Sequence, residues 1–529
     1  MTGILLLTAV VILLCIVANR FADKVGMPVL ICFICLGMFF GVDGPLGIPY
    51  DDFASTEKLC AVALAFVMFY GGFGTKWEAA KPVAVKAILL SGLGVILTAL
   101  SLTAFCGLVL RIDWLESFLI GAVLSSTDAA SVFSILRSKK LALKYGTASL
   151  LEIESGSNDP VSYMLTTIAI AMLTGSQNSM GYMLFAQIVY GVFIGVGVAV
   201  IAIFILQKSN LITESMDTIF VIAIVLVSYA LPDMIGGNGY LSVYLTGIIL
   251  GNSRIRNKKV LVPFFDGITN LAQISIFFFL GLLSAPHKLP SVLGTSLAIA
   301  LFLLLAGRPL MVFLLMKPFK AGWREQLCIS WAGLRGASSI VFAIFAVSNV
   351  NSLQYDLFHM VYMVSLLSVA VQGTLLPRVA GKLQMIDTEA DVLKTFNDYQ
   401  EDSSITLMRM YIPAGHNWEN KLVSQVSMPT DSLALMIKRK GETLIPRGDT
   451  QILAEDSVIL SVPSYSGVSG INLKEVPVDQ YHSWCDKSIE ELHLPENVLI
   501  AMIRRGDENM IPRGQTVIHE GDVVVIYDS

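Results

Sequence analysis

Charge is scarce in this chain. Asp, Glu, Lys and Arg together make up 15% of 529 residues, against 54% hydrophobic residues, and mean hydropathy is +0.69. So little charge excludes an ordinary soluble globular protein of this length and suits a polytopic membrane protein. Cysteine is also sparse, and the seven present have no framework spacing. Cys15, Cys32, Cys35, Cys60, Cys106 and Cys328 lie in apolar runs and Cys485 in the tail, which excludes a disulfide framework or a thiolate metal centre. The first apolar run, Ile4 to Ala18, has no basic segment before it and no small-residue cleavage site after it, so it reads as a retained helix and not a signal peptide. There is no HExxH, nucleophile elbow or P-loop and no potassium-channel filter of the TVGYG kind, so no enzyme class, cofactor or channel filter is called for.

What is present is a series of apolar runs up to about Lys382, followed by charged, alternating sequence. A membrane span takes roughly 20 apolar residues. Candidate spans fall at 3–19, 28–41, 57–74, 87–109, 115–136, 149–173, 182–206, 217–235, 238–251, 264–284, 290–316, 325–347 and 357–379, thirteen in all. With the N-terminus outside, alternate loops hold most of the basic residues, among them Arg20, Lys81, Lys139, Lys140, Lys208, Arg256, Lys258, Lys320 and Lys382. The other side holds Lys58, Arg111 and Lys288 with the acidic Asp43, Asp51 and Asp52. This asymmetry predicts a cytoplasmic tail in a multi-pass protein of the cell's inner (plasma) membrane.

Two spans carry a single charge amid small and hydroxyl residues. Span five has Ser125-Ser126-Thr127-Asp128-Ala129-Ala130-Ser131, and span twelve has Trp331-Ala332-Gly333-Leu334-Arg335-Gly336-Ala337-Ser338-Ser339. Such residues support an unwound segment that lines a cavity. Asp128 suits the positive N-terminus of a half-helix and Arg335 the negative C-terminus of another. Breaks at corresponding places in two halves point to a transporter's binding site and fit an inverted repeat of spans 1–6 against 8–13. The bland alternative is close helix packing through small residues.

Span six opens with Leu151-Glu152-Ile153-Glu154-Ser155-Gly156-Ser157-Asn158-Asp159-Pro160. A carboxylate in a membrane helix is costly and marks a functional site by default. From the residues alone, Asp159 is either an ion carrier or the partner of Arg335. Glu152 reads as interfacial, Glu154 as structural, and Arg308 as snorkelling or pairing with another helix.

Ser126-Thr127-Asp128-Ala129-Ala130, Leu151 to Pro160 and Gly333-Leu334-Arg335-Gly336-Ala337 resemble the cation/proton antiporter superfamily, in its branch with an Asn-Asp pair. The loop Gly41 to Pro49 and the stretch Ser126 to Ser134 look closest to bacterial cell-volume-regulation potassium/proton antiporters, a resemblance that covers about residues 1–385. It implies a homodimer with a moving core bundle, crossed interrupted helices and elevator-like alternating access. It implies ion and proton binding at Asp159, with Asn158 as its partner and Thr127, Asp128 and Ser155 near the ion, and a core ion pair between Glu154 and Arg335. One departure is Tyr70, where close relatives often carry an acid.

An exchanger needs one group that holds a proton or a cation, never both, and a shielded carboxylate does so. Oxygen ligands suit K+ or Na+ at Asp159. A neutral Asn158 implies electroneutral one-for-one exchange. Sodium/proton exchange and a ligand-gated cation channel are the alternatives, and nothing points to nucleic acid.

The tail contains a duplication with a 66-residue offset. His416-Asn417-Trp418 recurs as His482-Ser483-Trp484, and Ile445-Pro446-Arg447-Gly448 as Ile511-Pro512-Arg513-Gly514. After a helical linker at 386–402, the copies occupy 403–466 and 467–529. Each reads as a small α+β lobe with three strand-like runs, 432–439, 443–452 and 458–462, then 498–505, 510–518 and 523–527. The pattern resembles the C-terminal lobe of regulators of potassium conductance, which implies dimerisation and a crevice for a small regulator such as a nucleotide or cyclic dinucleotide. Arg447, Arg513, His416 and His482 are the candidate contacts. Residues 383–403 lack the Gly-rich βαβ unit that NAD would need.

Overall fold

The computed structural model describes every residue except 1, 26–28, 76, 129–130, 133–134, 137–140, 177–178, 209–215, 254, 256, 351–352, 388–404, 414, 427, 429–431, 440–441, 464–472, 479–483, 493, 495–497, 506–507, 511, 513 and 529. The chain divides into two compact units, Met1–Tyr399 and Gln400–Ser529. The helical linker expected before the tail falls on residues outside the described set, apart from its first two.

The first unit is helical: α1 (Thr2–Val25), α2 (Val29–Phe40), α3 (Phe53–Gly74), α4 (Ala84–Leu108), α5 (Trp114–Val123), α6 (Thr147–Leu173), α7 (Met180–Lys208), α8 (Asp217–Met234), α9 (Gly239–Gly251), α10 (Lys258–Leu283), α11 (Pro286–Phe319), α12 (Trp323–Trp331), α13 (Ala337–Asn349) and α14 (Leu357–Lys382). Polar residues in the short loops start several of them. Asp52, Asp113, Asn238 and Asp356 accept hydrogen bonds from Ser55, Leu115, Leu241 and His359 N–H groups, satisfying first-turn donors that lipid could not.

Each of the thirteen expected spans coincides with helix, but length and apolarity alone license fewer. Among the described residues seven helices are long and apolar enough to cross a membrane, namely α3, α4, α7, α8, α10, α11 and α14. The others are shorter, like α2 and α9, or interrupted, or rich in polar groups like α6. Both expected interruptions are present. Beyond α5 the chain is non-helical at 126–128 and helical again at Ser131, and α12 and α13 are separated by non-helical residues 333–336. In each half a helix with one π-helical turn, Leu90–Gly94 in α4 or Leu303–Gly307 in α11, precedes the interrupted element.

Two short strands close the unit. β1 (Ala142–Leu143), just before α6, pairs antiparallel with β2 (Ile386–Asp387), just after α14, and Lys144 N–H adds a 2.9 Å bond to the Met385 carbonyl.

The tail lobes are two antiparallel four-stranded sheets of identical order. The first is β3 (Ile405–Tyr411), β6 (Ser457–Pro463), β4 (Leu433–Arg439), β5 (Glu442–Leu444). The second is β7 (Leu473–Pro477), β10 (Val523–Asp528), β8 (Val498–Arg505), β9 (Glu508–Met510). The duplication extends to the cores: Ile412, Ala434, Ile437, Ile452 and Val458 are buried in one, and Val478, Ile500, Ile503, Ile518 and Val524 in the other. The α+β and three-strand expectations are corrected here. Each lobe has an additional first strand, and its described residues contain only one 3-10 turn, Val423–Gln425 or Glu490–Leu492, and no α-helix. The middle runs also stop early, at Leu444 and Met510, because Pro446 and Pro512 follow and cannot donate to a ladder.

A clasp on a buried carboxylate is repeated too. Arg439 donates to both carboxylate oxygens of Asp456 (2.8 and 2.7 Å), and Arg505 to both of Asp522 (2.8 and 2.7 Å). Arg505 holds the Asp522 carboxyl below the usual carboxylate range, against the opposing effect of burial. In Asp456 burial is the larger single influence, yet Arg439 and the Leu453 N–H together outweigh it. Because both folded-state values are depressed, this stabilisation is present above the ordinary carboxylate range and is lost as pH falls through the folded values. Asp522→Asn should therefore destabilise the second lobe at neutral pH by about 1–2 kcal/mol. Hydrogen exchange of full-length protein should show faster exchange in β8 and β10, with the difference from wild type shrinking in acid.

Candidate functional site

The two interruptions meet. The Asp128 N–H donates to the Leu334 carbonyl at 2.8 Å, joining one unwound segment to the other. Each charge then caps a broken end. The Asp128 carboxylate accepts from Ser131 Oγ at 2.6 Å and Ser131 N at 3.3 Å, at the start of the resumed helix. The Arg335 guanidinium donates to the Leu124 and Ser126 carbonyls at 2.5 and 2.7 Å, at the end of α5. This is the macrodipole pairing that the sequence suggests. The crossing leaves no room at Gly336, where an added Cβ would stand 1.9 Å from Asp128 Oδ2.

Helix α6 supplies the ion-handling groups. Asn158 is fully buried and Asp159 is 8% exposed. Asn158 Nδ2 donates to Thr127 Oγ1 at 2.5 Å and the Thr127 carbonyl at 3.3 Å, and Ser155 Oγ donates to the same carbonyl at 2.8 Å. Asp159 accepts from Ser126 Oγ, which lies 2.9 Å from Ser338 Oγ. The structure thus gathers Asp159, Asn158, Thr127 and Ser155 around one unwound strand, with Asp128 at its far end. Ser126 and Ser338 were not singled out in the sequence; their only signal was membership of the two hydroxyl-rich breaks. Asn238 is another unflagged contributor. Its side-chain amide donates to the Pro160 carbonyl at 2.8 Å while its oxygen caps α9.

The expected Glu154–Arg335 ion pair is not what forms. Glu154 contacts Arg308 of α11 at 2.5 Å, and both are almost fully buried. Arg335 is committed to carbonyls. The physical reason is that the broken end of α5 presents unpaired C=O groups that a guanidinium satisfies, leaving Arg308 to neutralise Glu154. Arg308 therefore pairs with another helix and does not snorkel.

In the tail, Arg447 is exposed on a turn where its own N–H meets Thr450 Oγ1 at 2.8 Å. The ring of His416 packs edge-on against Trp418 and accepts from its N–H at 3.2 Å, a capping and packing arrangement. Arg513 and His482 lie outside the described residues.

Residues 9–382 match the family described as sodium/hydrogen exchanger, transmembrane, and residues 473–527 match the TrkA-C domain. The K(+)/H(+) antiporter NhaP2 of Shewanella oneidensis is 33% identical over 85% of this chain and 79% of its own length. The K(+)/H(+) antiporter NhaP of Alkalimonas amylolytica is 31% identical over 86% and 80%. The Na(+)/H(+) antiporter ApNhaP of Aphanothece halophytica is 27% identical over 65% and 69%. Among solved structures, the sodium proton antiporter MjNhaP1 of Methanocaldococcus jannaschii shares the fold, with a TM-score of 0.62 and 22% identity over 69% of this chain and 97% of that one. The crossed interruptions, the buried Asn158-Asp159 pair and these matches lead to one conclusion: the chain belongs to the sodium/hydrogen exchanger family, a multi-pass membrane cation/proton antiporter with a TrkA-C domain near its C-terminal end.

Proposed function

We propose that this antiporter exchanges potassium for protons, one for one, with Asp159 as the shared site. The observation that carries the reading is the charge inventory around α6. Glu154 is paired with Arg308, the Arg335 guanidinium is held by carbonyls and the Asp128 carboxylate by Ser131 at a half-helix start. Asn158, being neutral, contributes hydrogen bonds only. Of Glu154, Asp128 and Asp159, Asp159 is the one taken to alternate between a proton and a cation, so that the moving bundle carries the same charge both ways. Hydroxyl and carbonyl oxygens of Ser126, Thr127, Ser155 and Ser338 suit an alkali cation. Potassium is favoured by relatives at 31–33% identity named K(+)/H(+) antiporters. Sodium is the second reading, favoured by the 27% identical relative named for Na(+).

The protein works as a homodimer, N-terminus outside and tail in the cytoplasm, with elevator-like movement of the bundle. The tail sets the rate, with a nucleotide or cyclic dinucleotide as the class of regulator. Proteoliposomes under an imposed pH gradient test this reading. Fluorescence dequenching should be larger with K+ or Rb+ than with Na+ or Li+, and insensitive to a clamped membrane potential. A preference for Na+ would move the assignment to the second reading. Potential-dependent rates would overturn electroneutrality, and cation current without proton movement would make the protein a channel. Deletion after residue 402 should leave exchange intact but change its regulation.

A further inference from the structure

We infer that Tyr240 and Tyr244, one turn apart on α9, are the two closures of the Asp159 site. The inference rests on Asp159 as the carrier. On one side the Tyr240 ring meets Tyr163 edge-on with centroids 4.9 Å apart, and Tyr163 is one helical turn beyond Asp159 on α6. Phe342 of α13 stands 5.7 Å from Tyr163 and 6.0 Å from Tyr240, and Tyr229 of α8 stands 5.1 Å from Tyr240. Rings from four helices therefore converge there, and Tyr240 is 2% exposed.

On the other side, the Tyr244 ring lies against the backbone of α6 at Gly156. A Cβ at Gly156 would fall 2.7 to 2.9 Å from the ring and hydroxyl atoms of Tyr244, so a glycine is what lets the ring close down. The Tyr244 hydroxyl lies 3.3 Å from Ser157 Oγ, but the fit of the ring against Gly156, and not this bond, makes the closure. Asp159 stands between the two contacts, half a turn beyond Ser157.

A hydrated alkali cation does not pass close-packed aromatic rings, and apolar constrictions of this kind gate by excluding water. Transport on α6 then requires the Tyr163–Tyr240 and Gly156–Tyr244 contacts to part in turn. Neither tyrosine binds the ion. Each is a positioning residue that decides which face of the membrane Asp159 meets. α9 also packs along α3, and Asn238 at its start holds the Pro160 carbonyl, so the two rings belong to a support distinct from the crossed segments that carry the ligands.

The test reads access and not transport. Ser157→Cys in full-length protein serves as the reporter in oriented proteoliposomes, with a membrane-impermeant methanethiosulfonate applied to each face and labelling corrected for the parent's own thiols. Tyr240→Ala should raise labelling from one face, and Tyr244→Ala from the opposite face, each by about tenfold or more. Tyr240→Phe and Tyr244→Phe keep the rings and should label like the reporter alone. Equal labelling in all variants, a rise from the same face in both alanine variants, or phenylalanine variants behaving like alanine would each overturn the assignment. If Asp159→Asn keeps exchange while the alanine variants open opposite faces, the carrier reading falls and the closures stand. If Asp159→Asn loses exchange while labelling never changes, the closures fall alone.

Discussion

Proteoliposomes carrying Asp159→Asn are expected to show no cation-driven proton movement above the protein-free background. The substitution is nearly isosteric, so Ser126 keeps an acceptor and the crossing of the broken helices survives. What is lost is the negative charge. At an effective dielectric of about 20 and a separation of about 4 Å, one unit charge is worth about 4 kcal/mol to a monovalent cation, close to a thousandfold in affinity. The amide also takes up no proton, so both half-cycles stop. Asn158→Asp is the informative companion: a second carboxylate adds a titrating group, and its exchange should become sensitive to membrane potential. Retained exchange in Asp159→Asn, with expression and dispersity equal to wild type, would remove Asp159 from the carrier role.

The second large effect concerns stability. Removing one member of a buried ion pair costs about 3–5 kcal/mol, because the survivor is left charged and unpaired, whereas replacing both with apolar or neutral groups of similar volume is far milder. Arg308→Met should therefore sharply lower the temperature at which detergent-solubilised protein unfolds and aggregates. Glu154→Gln with Arg308→Met should recover most of that loss. The same cycle with Arg335→Met separates the two arginines. Glu154 contacts Arg308 at 2.5 Å and Arg335 bonds to the Leu124 and Ser126 carbonyls, so coupling energy should be large for the first pair and small for the second. The reverse ranking would restore the pairing that the family resemblance implies.

That pairing shows where sequence reading stops. The breaks in spans five and twelve were legible because small, hydroxyl and charged residues at mid-span have little other use in lipid. The direction of the charges was legible for the same reason: half-helix ends are polar, and Asp128 and Arg335 match them. The partner of Glu154 was not legible. Two arginines occupy mid-span positions, and choosing between them needs the depth and rotation of α11 against α6, which a hydropathy pattern does not contain. The tail divides along similar lines. Its repeat follows from the recurring motifs, and strands such as Val498–Arg505 from turn dipeptides and alternation. The first strand of each lobe escaped because Ile405–Tyr411 and Leu473–Pro477 pair with strands far along the chain and have no adjacent hairpin turn to announce them. The membrane count shows a third limit. Spans such as α9 and the halves of the interrupted elements are too short to be recognised by length and are placed only by their neighbours.

The ribbon between β1 and β2 carries a consequence for biogenesis. β1 lies immediately ahead of α6, while β2 follows α14. A ribosome delivers the first strand long before the second, so this ribbon cannot close on the start of the aspartate-bearing helix until the last membrane helix has emerged. Assembly has a built-in order: α4 can hold the start of that helix early, the ribbon closes only after the bundle has been made to its end, and a chain truncated before β2 would lack this last latch.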